Sequence, residues 1–85
     1  MAYALRFHPR VLDEDKRKLS ARQWARIARA VETRLPDEPE RYSEPLAGSL
    51  RGYCKLRVGD HRVIFALVGT DLVIVGIMHR REVYE

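Results

Sequence analysis

Hydrophobic positions follow two different periods along the chain. Between Ser20 and Pro36, Trp24, Ile27, Ala28, Val31 and Leu35 are spaced by three, one, three and four residues. That spacing predicts an amphipathic helix. Ser20 followed by Gln23 is a capping-box signal at its start, and Pro36 stops it. Upstream, Tyr3, Leu5 and Phe7 alternate with Ala4 and Arg6, the pattern of a short half-buried strand. Pro9 then suits the first turn of a weaker helix, "RVLDEDKRKL", with Val11, Leu12 and Leu19 turned inward. "PDEPERYSEP" reads as an exposed loop. From Leu46 onward every signal is strand. "GYCKLRV", "HRVIFALV" and "DLVIVGIM" are separated by Gly59-Asp60 and by Gly69-Thr70, two-residue connections that predict consecutive hairpins. "REVYE" is the place for a short final strand. The expected architecture is α+β. Two N-terminal helices pack on one face of an antiparallel sheet in the order β-α-α-β-β-β, and residues 1–85 form one domain.

A hairpin turning at Gly59-Asp60 fixes its register. Val58 then opposes His61, Arg57 opposes Arg62, Leu56 opposes Val63, Lys55 opposes Ile64 and Cys54 opposes Phe65. Opposed residues share a face. Cys54, Leu56, Val58, Val63, Phe65 and Leu67 therefore belong under the helices, and Tyr53, Lys55, Arg57 and Arg62 point away from them. Carried through the second hairpin with an unbroken period of two, the count sets Phe65 opposite Ile74 and Arg62 opposite Ile77. It also brings His79 onto the cationic side. Two arginines opposed across a hairpin cost stability, so an anion, an acidic side chain or a partner is expected there. Ile64, Ala66, Val68, Val73 and Val75 share that face toward the second turn. They form an apolar area for another chain, or this chain's own termini, to cover.

Charge sharpens this picture. Lys and Arg number 16 against 12 Asp and Glu, giving a net charge of +4, and the balance favours polyanionic partners. In the N-terminal half the signs are mixed, as on the solvated stretch Asp13 to Lys18. In the C-terminal half the cations fall on strands, which fix their direction. The single cysteine, Cys54, permits no intrachain disulfide, and the N-terminus lacks the apolar core of a signal peptide. With "LVIVGIM" too short to span a bilayer, a cytoplasmic protein without membrane partners is expected. There is no CxxC, HExxH, Walker-type loop or GxGxxG, and His8, His61 and His79 have no metal-ligand spacing. No metal and no small-molecule cofactor are expected. Trp24 and Cys54 read as core residues.

The chemistry that suits such a face is RNA phosphodiester cleavage. A ribose 2′-hydroxyl attacks the adjacent phosphorus, and positioning with electrostatics supplies most of the acceleration. Arg57 and Arg62 match nonbridging phosphate oxygens. Lys55 and His79 are candidates for proton transfer. Tyr84 is placed to stack on a base or exchange a proton.

The run from Leu50 to Phe65, "L-x-G-x-x-K-L-R-V-G-D-x-R-V-I-F", and "H-R-R-E-V-Y" from His79 to Tyr84 resemble the RelE/ParE superfamily of toxin–antitoxin toxins. They are most similar to RelE-like ribosome-dependent mRNA endonucleases. The resemblance implies the toxin of a type II toxin–antitoxin system: a metal-independent endoribonuclease that cuts mRNA on the ribosome and is neutralised by a cognate antitoxin. Lys55 then corresponds to a catalytic lysine, Arg62 to the arginine at the scissile phosphate, Arg81 or Arg80 to a C-terminal arginine and Tyr84 to the catalytic tyrosine. His79 is a further candidate, because related nucleases use a histidine near this strand end. Arg51, Tyr53, Arg57 and Arg80 are the expected RNA contacts. Tyr53 stands where RelE-like enzymes carry a first lysine. Two alternatives stand beside this reading: a ParE-like poison of DNA gyrase, and a non-catalytic module that only binds its antitoxin.

Overall fold

Ser20 is where the helical layer becomes regular. Its hydroxyl accepts a hydrogen bond from the Gln23 N–H (3.1 Å), and the Gln23 side chain accepts one from the Ser20 N–H (2.9 Å). The expected capping box thus forms and opens α1 (Ala21–Arg34). Ile27, Ala30, Val31 and Leu35 form its buried stripe, with Trp24 half-buried at its start. Replacing Ser20 by alanine should lower unfolding free energy by about 1 kcal/mol, read as a reduced denaturant midpoint at unchanged slope.

The computed structural model describes residues 2–82. β1 (Ala4–Phe7) leads into a helical segment with a π-helical turn (Val11–Asp15) and a 3-10 turn (Lys16–Lys18). A π turn closes i→i+5 hydrogen bonds, so residues five apart lie on one side. Here those are Arg10 and Asp15, and both serve β5. Arg10 Nη2 donates to the Val75 carbonyl (2.7 Å) and Asp15 Oδ2 accepts from the Ile77 N–H (2.9 Å). Val11 is fully buried, whereas Leu12, expected inward, is left exposed by this wider turn.

After α1 the chain forms a single helical turn, α2 (Pro39–Tyr42), and a three-residue strand, β2 (Ser43–Pro45). The stretch expected to be an open loop is therefore structured at both levels. Pro39 sits in the first helical turn, where its missing N–H costs nothing, and the Ser43 hydroxyl donates to the Pro39 carbonyl (2.6 Å). Three strands follow: β3 (Tyr53–Val58), β4 (His61–Val68) and β5 (Asp71–His79). The sheet has five strands in the order β1-β5-β4-β3-β2. It is mixed rather than wholly antiparallel, because β1 lies parallel to β5 at one edge. The helical layer carries the chain from that edge across the sheet to β2 at the other, and β3 and β4 lead back to β5 beside β1. Arg80–Glu82 close the described chain as a 3-10 turn; the remainder of the expected final strand, residues 83–85, lies outside the described residues.

The core lies between the helices and one sheet face. Val11, Ile27, Val31 and Leu35 meet Leu56, Val63, Phe65, Leu72 and Ile74, and Val58 and Ile77 close the cluster. Phe7 and Trp24 extend it as a tilted ring pair with centroids 5.7 Å apart. Among the described residues no helix is long and apolar enough to cross a membrane.

Candidate nucleic-acid interface

The first hairpin pairs as its turn dictates. Tyr53 opposes Ala66, Lys55 opposes Ile64, Arg57 opposes Arg62 and Val58 opposes His61. Gly59 adopts φ +60° and permits the tight turn. Tyr53, Lys55, Arg57 and Arg62 therefore share the face away from the helices. β2 adds Glu44 directly opposite Lys55, and β1 adds Arg6 opposite Val73. Three rows of side chains cross this face. One contains Arg57, Arg62 and Met78; the next contains Glu44, Lys55, Ile64 and Gly76; the third contains Tyr53, Ala66, Val73 and Arg6.

Lys55 is the unusual member. It retains 7% of its exposure, and Ile64 beside it retains 6%. Lysine is among the residues least often buried, and burying its charge requires polar compensation. Among the described residues no buried side-chain nitrogen or oxygen lacks a hydrogen-bond partner. Lys55 is thus a positioned cation rather than a mobile surface one. It lines an open pocket of ≈ 610 Å³ with Glu44, Pro45 and the Leu46–Leu50 segment. Arg62 is half-buried, and one of its guanidinium nitrogens donates to the His61 carbonyl (3.2 Å). Arg57 is exposed. Toward the second turn the apolar area is graded: Ile64 is buried, Ala66 and Val73 are half-covered, and Val68 stands 61% exposed.

His79 is not on this face. The second hairpin begins in the expected register, with Leu67 opposite Leu72 and Phe65 opposite Ile74. Between Ile64 and Phe65 the register then shifts, so that Ile64 opposes Gly76, Arg62 opposes Met78 and His61 opposes His79. One extra residue in β5 reverses the direction of every later side chain. His79 is carried to the helix side, where its ring meets His61 edge to face (centroids 5.5 Å apart, 82°). Together they border a small pocket with Asp15, Lys18 and Gln23. The expectation that His79 joins Lys55 and Arg62 is corrected by this bulge.

The remaining candidates divide. Arg80 donates its backbone N–H to the Asp60 carbonyl (2.7 Å), and its guanidinium approaches the Asp60 carboxylate (3.9 Å), which ties it to the β3–β4 turn. Arg81 is exposed, and its N–H donates to His79 Nδ1 (3.3 Å). Arg51 is exposed in the segment before β3. Tyr84, the expected stacking or proton-exchanging residue, lies outside the described residues. Two cations near this face were not foreseen. Arg6 is paired with Asp71 (3.1 Å). Arg10 reaches within 3.9 Å of where a side chain on Gly76 would begin. Parity along β1 would have revealed Arg6; Arg10 depends on the bulge and had no sequence signal. Among the described residues no group of three or more His, Cys, Asp or Glu is placed to hold a metal ion.

A five-stranded mixed sheet with helices on one face matches the fold of RelE-like toxins. The chain is similar to the toxin–antitoxin complex RelBE2 from Mycobacterium tuberculosis, with TM-score 0.86 and 29% identity over 94% of this chain and 100% of the other. It shares its fold with the RelE–RelB complex of Pyrococcus horikoshii (TM-score 0.71, 22% identity, 98% and 100% covered). The same holds for YafQ of Escherichia coli (TM-score 0.60, 17% identity, 98% and 99% covered). Comparison with curated protein sequences gives no match. The family model described as the ParE toxin of the type II toxin–antitoxin system parDE matches residues 5–84. The chain belongs to this toxin family, within the RelE/ParE superfamily.

Proposed function

We propose that the chain is a toxin that cleaves mRNA on the ribosome, as a metal-independent endoribonuclease, and that a cognate antitoxin neutralises it in the cytoplasm. The observation carrying this reading is the convergence of buried Lys55 with Arg57 and Arg62 in adjacent rows of one sheet face. Opposed arginines disfavour the empty face, and a phosphodiester relieves them. The guanidinium forks grip the nonbridging oxygens, and their charge grows in value as the attacked phosphorus gains negative charge. Lys55, held rather than mobile, stabilises the same charge or moves a proton at the 2′- or 5′-oxygen. Tyr84 remains the proposed base-stacking or proton-exchanging group. Arg51, Tyr53 and Arg80 flank the strand of RNA, and Arg81 supplies a further cation. The antitoxin is supported by the solved M. tuberculosis and P. horikoshii relatives, which are complexes with one. The partly exposed apolar area around Ala66, Val73 and Val68 is where it would sit.

His79 has no place in this chemistry. Replacing it by alanine should leave the cleavage rate within about twofold of the parent, read by single-turnover assay on ribosome-bound mRNA. Complete loss of cutting in a folded His79→Ala protein would return the histidine to the reacting groups.

A second reading has an observation of its own: the matching family model is described as ParE. A ParE-like toxin would poison DNA gyrase. Pulse-labelling after induction separates the two. Early loss of protein synthesis supports the nuclease, and early loss of DNA synthesis supports the gyrase poison.

A further inference from the structure

A second concentration of positive charge lies outside the sheet-face site. A cleft of ≈ 370 Å³ runs between the C-terminal half of α1 and the β3–β4 turn, and its walls include Arg26, Arg29, Arg34 and Arg57 with no acidic residue among the lining groups. The ion pairs Arg6–Asp71, Arg41–Glu38 and Arg80–Asp60 lie elsewhere on the described chain. A solvated helix face ordinarily interleaves both signs, and this one does not. Nor is Arg26 simply splayed into water. Arg26 lies against the backbone of the turn, so closely that a side chain on Gly59 would begin 2.9 Å from Nη1 and 3.2 Å from Cζ. Four arginines line one concavity; like charges brought together raise one another's energy, and a bound polyanion offsets that cost.

The position of Arg57 links this cleft to the sheet face. β2 pairs with β3 only at residues Cys54 to Leu56, so the edge of β3 is uncovered by β2 at Arg57 and Val58. Arg57 opposes Arg62 on the sheet and also lines the cleft. A continuous cationic path therefore turns around the open edge of the sheet.

We propose that this cleft is a second RNA-backbone contact, holding phosphates of a strand that continues past Arg57 from the sheet-face site; the proposal rests on reading that face as an RNA site. Phosphate is favoured over an acidic protein helix by the character of the walls. An amphipathic helix needs apolar anchoring pockets, but the apolar residues here, Ala30 and Val58, are already buried. The walls offer guanidinium forks, which fit phosphate oxygens in pairs.

The test uses a fluorescent 12-nucleotide RNA with 2′-O-methyl riboses, which lacks the attacking hydroxyl and cannot be cut. Its affinity for the parent and for R26Q/R29Q/R34Q is measured by anisotropy between 50 and 200 mM salt, with circular dichroism confirming the fold. The triple variant should bind at least about tenfold more weakly at low salt. Its log K against log salt slope should flatten by about two, because each phosphate no longer neutralised removes about 0.7 from the slope of a single strand. Equal affinity and slope for the two proteins would overturn the proposal, as would a parent that fails to bind the RNA. A poly-glutamate 12-mer that loses binding in the variant while the RNA does not would assign the cleft to an acidic protein segment instead. Failure of the nuclease reading looks different: the parent binds the modified RNA through the cleft yet leaves unmodified ribosome-bound mRNA intact.

Discussion

Replacing Arg62 by alanine should slow mRNA cleavage by about a hundredfold or more, the usual effect of removing one preorganised group from a developing oxyanion. The same change should leave the fold as stable as the parent, or more stable by a few tenths of a kcal/mol, because it removes a like charge opposite Arg57. The opposed signs are the diagnostic feature. A residue retained for structure loses stability and activity together when removed. A residue retained for an anion loses activity while the empty fold relaxes. Single-turnover cleavage with denaturant unfolding of the same preparation reads both. Arg62→Lys should recover part of the rate by restoring charge without the bidentate fork. A folded Arg62→Ala protein that cuts at the parental rate would remove Arg62 from the reacting site.

The second large effect is on stability. Phe65 is fully buried at the centre of the core and pairs with Cys54 on one side and Ile74 on the other. Phe65→Ala should cost about 3–5 kcal/mol through lost transfer free energy and the cavity left behind. Small domains have about 5–15 kcal/mol in total, so a large share of the folding free energy disappears. The expected result is a sharply lowered denaturant midpoint, and reduced toxicity at growth temperature because the sheet that aligns Lys55 with Arg62 is less fully populated. An unchanged midpoint would contradict the packing described.

These two residues also mark where sequence is a good guide to this structure. Both lie within a few residues of Gly59-Asp60. A two-residue turn leaves one register for its flanking strands, so the partners of Arg62 and Phe65 across that turn follow from counting alone. The second turn is equally legible beside Gly69-Thr70, and Leu72 and Ile74 fall where parity puts them. The count fails at Val75. In "LVIVGIM" both faces carry apolar side chains, so no polar residue marks where alternation breaks, and His79 is assigned to the wrong side. What sustains the bulge is distant in sequence: Arg10 and Asp15 satisfy the Val75 carbonyl and the Ile77 N–H beyond the end of β1. The parallel placement of β1 and the pairing of β2 were hidden for a related reason. Both are edge strands of four residues or fewer, fixed by what they pair with rather than by their own pattern. The basic face was legible because it rests on the first hairpin. The α1 cleft was not, because it joins two elements whose contact no local pattern encodes.

The central claim is that this face cuts RNA, and primer extension on a single mRNA in a purified translation reaction tests it most directly. The parent protein should produce discrete stops within the translated frame, absent when ribosomes are omitted and absent with Arg62→Ala. An mRNA left intact by the parent, together with gyrase–DNA cleavage complexes accumulating when the same preparation is given gyrase and plasmid, would contradict it.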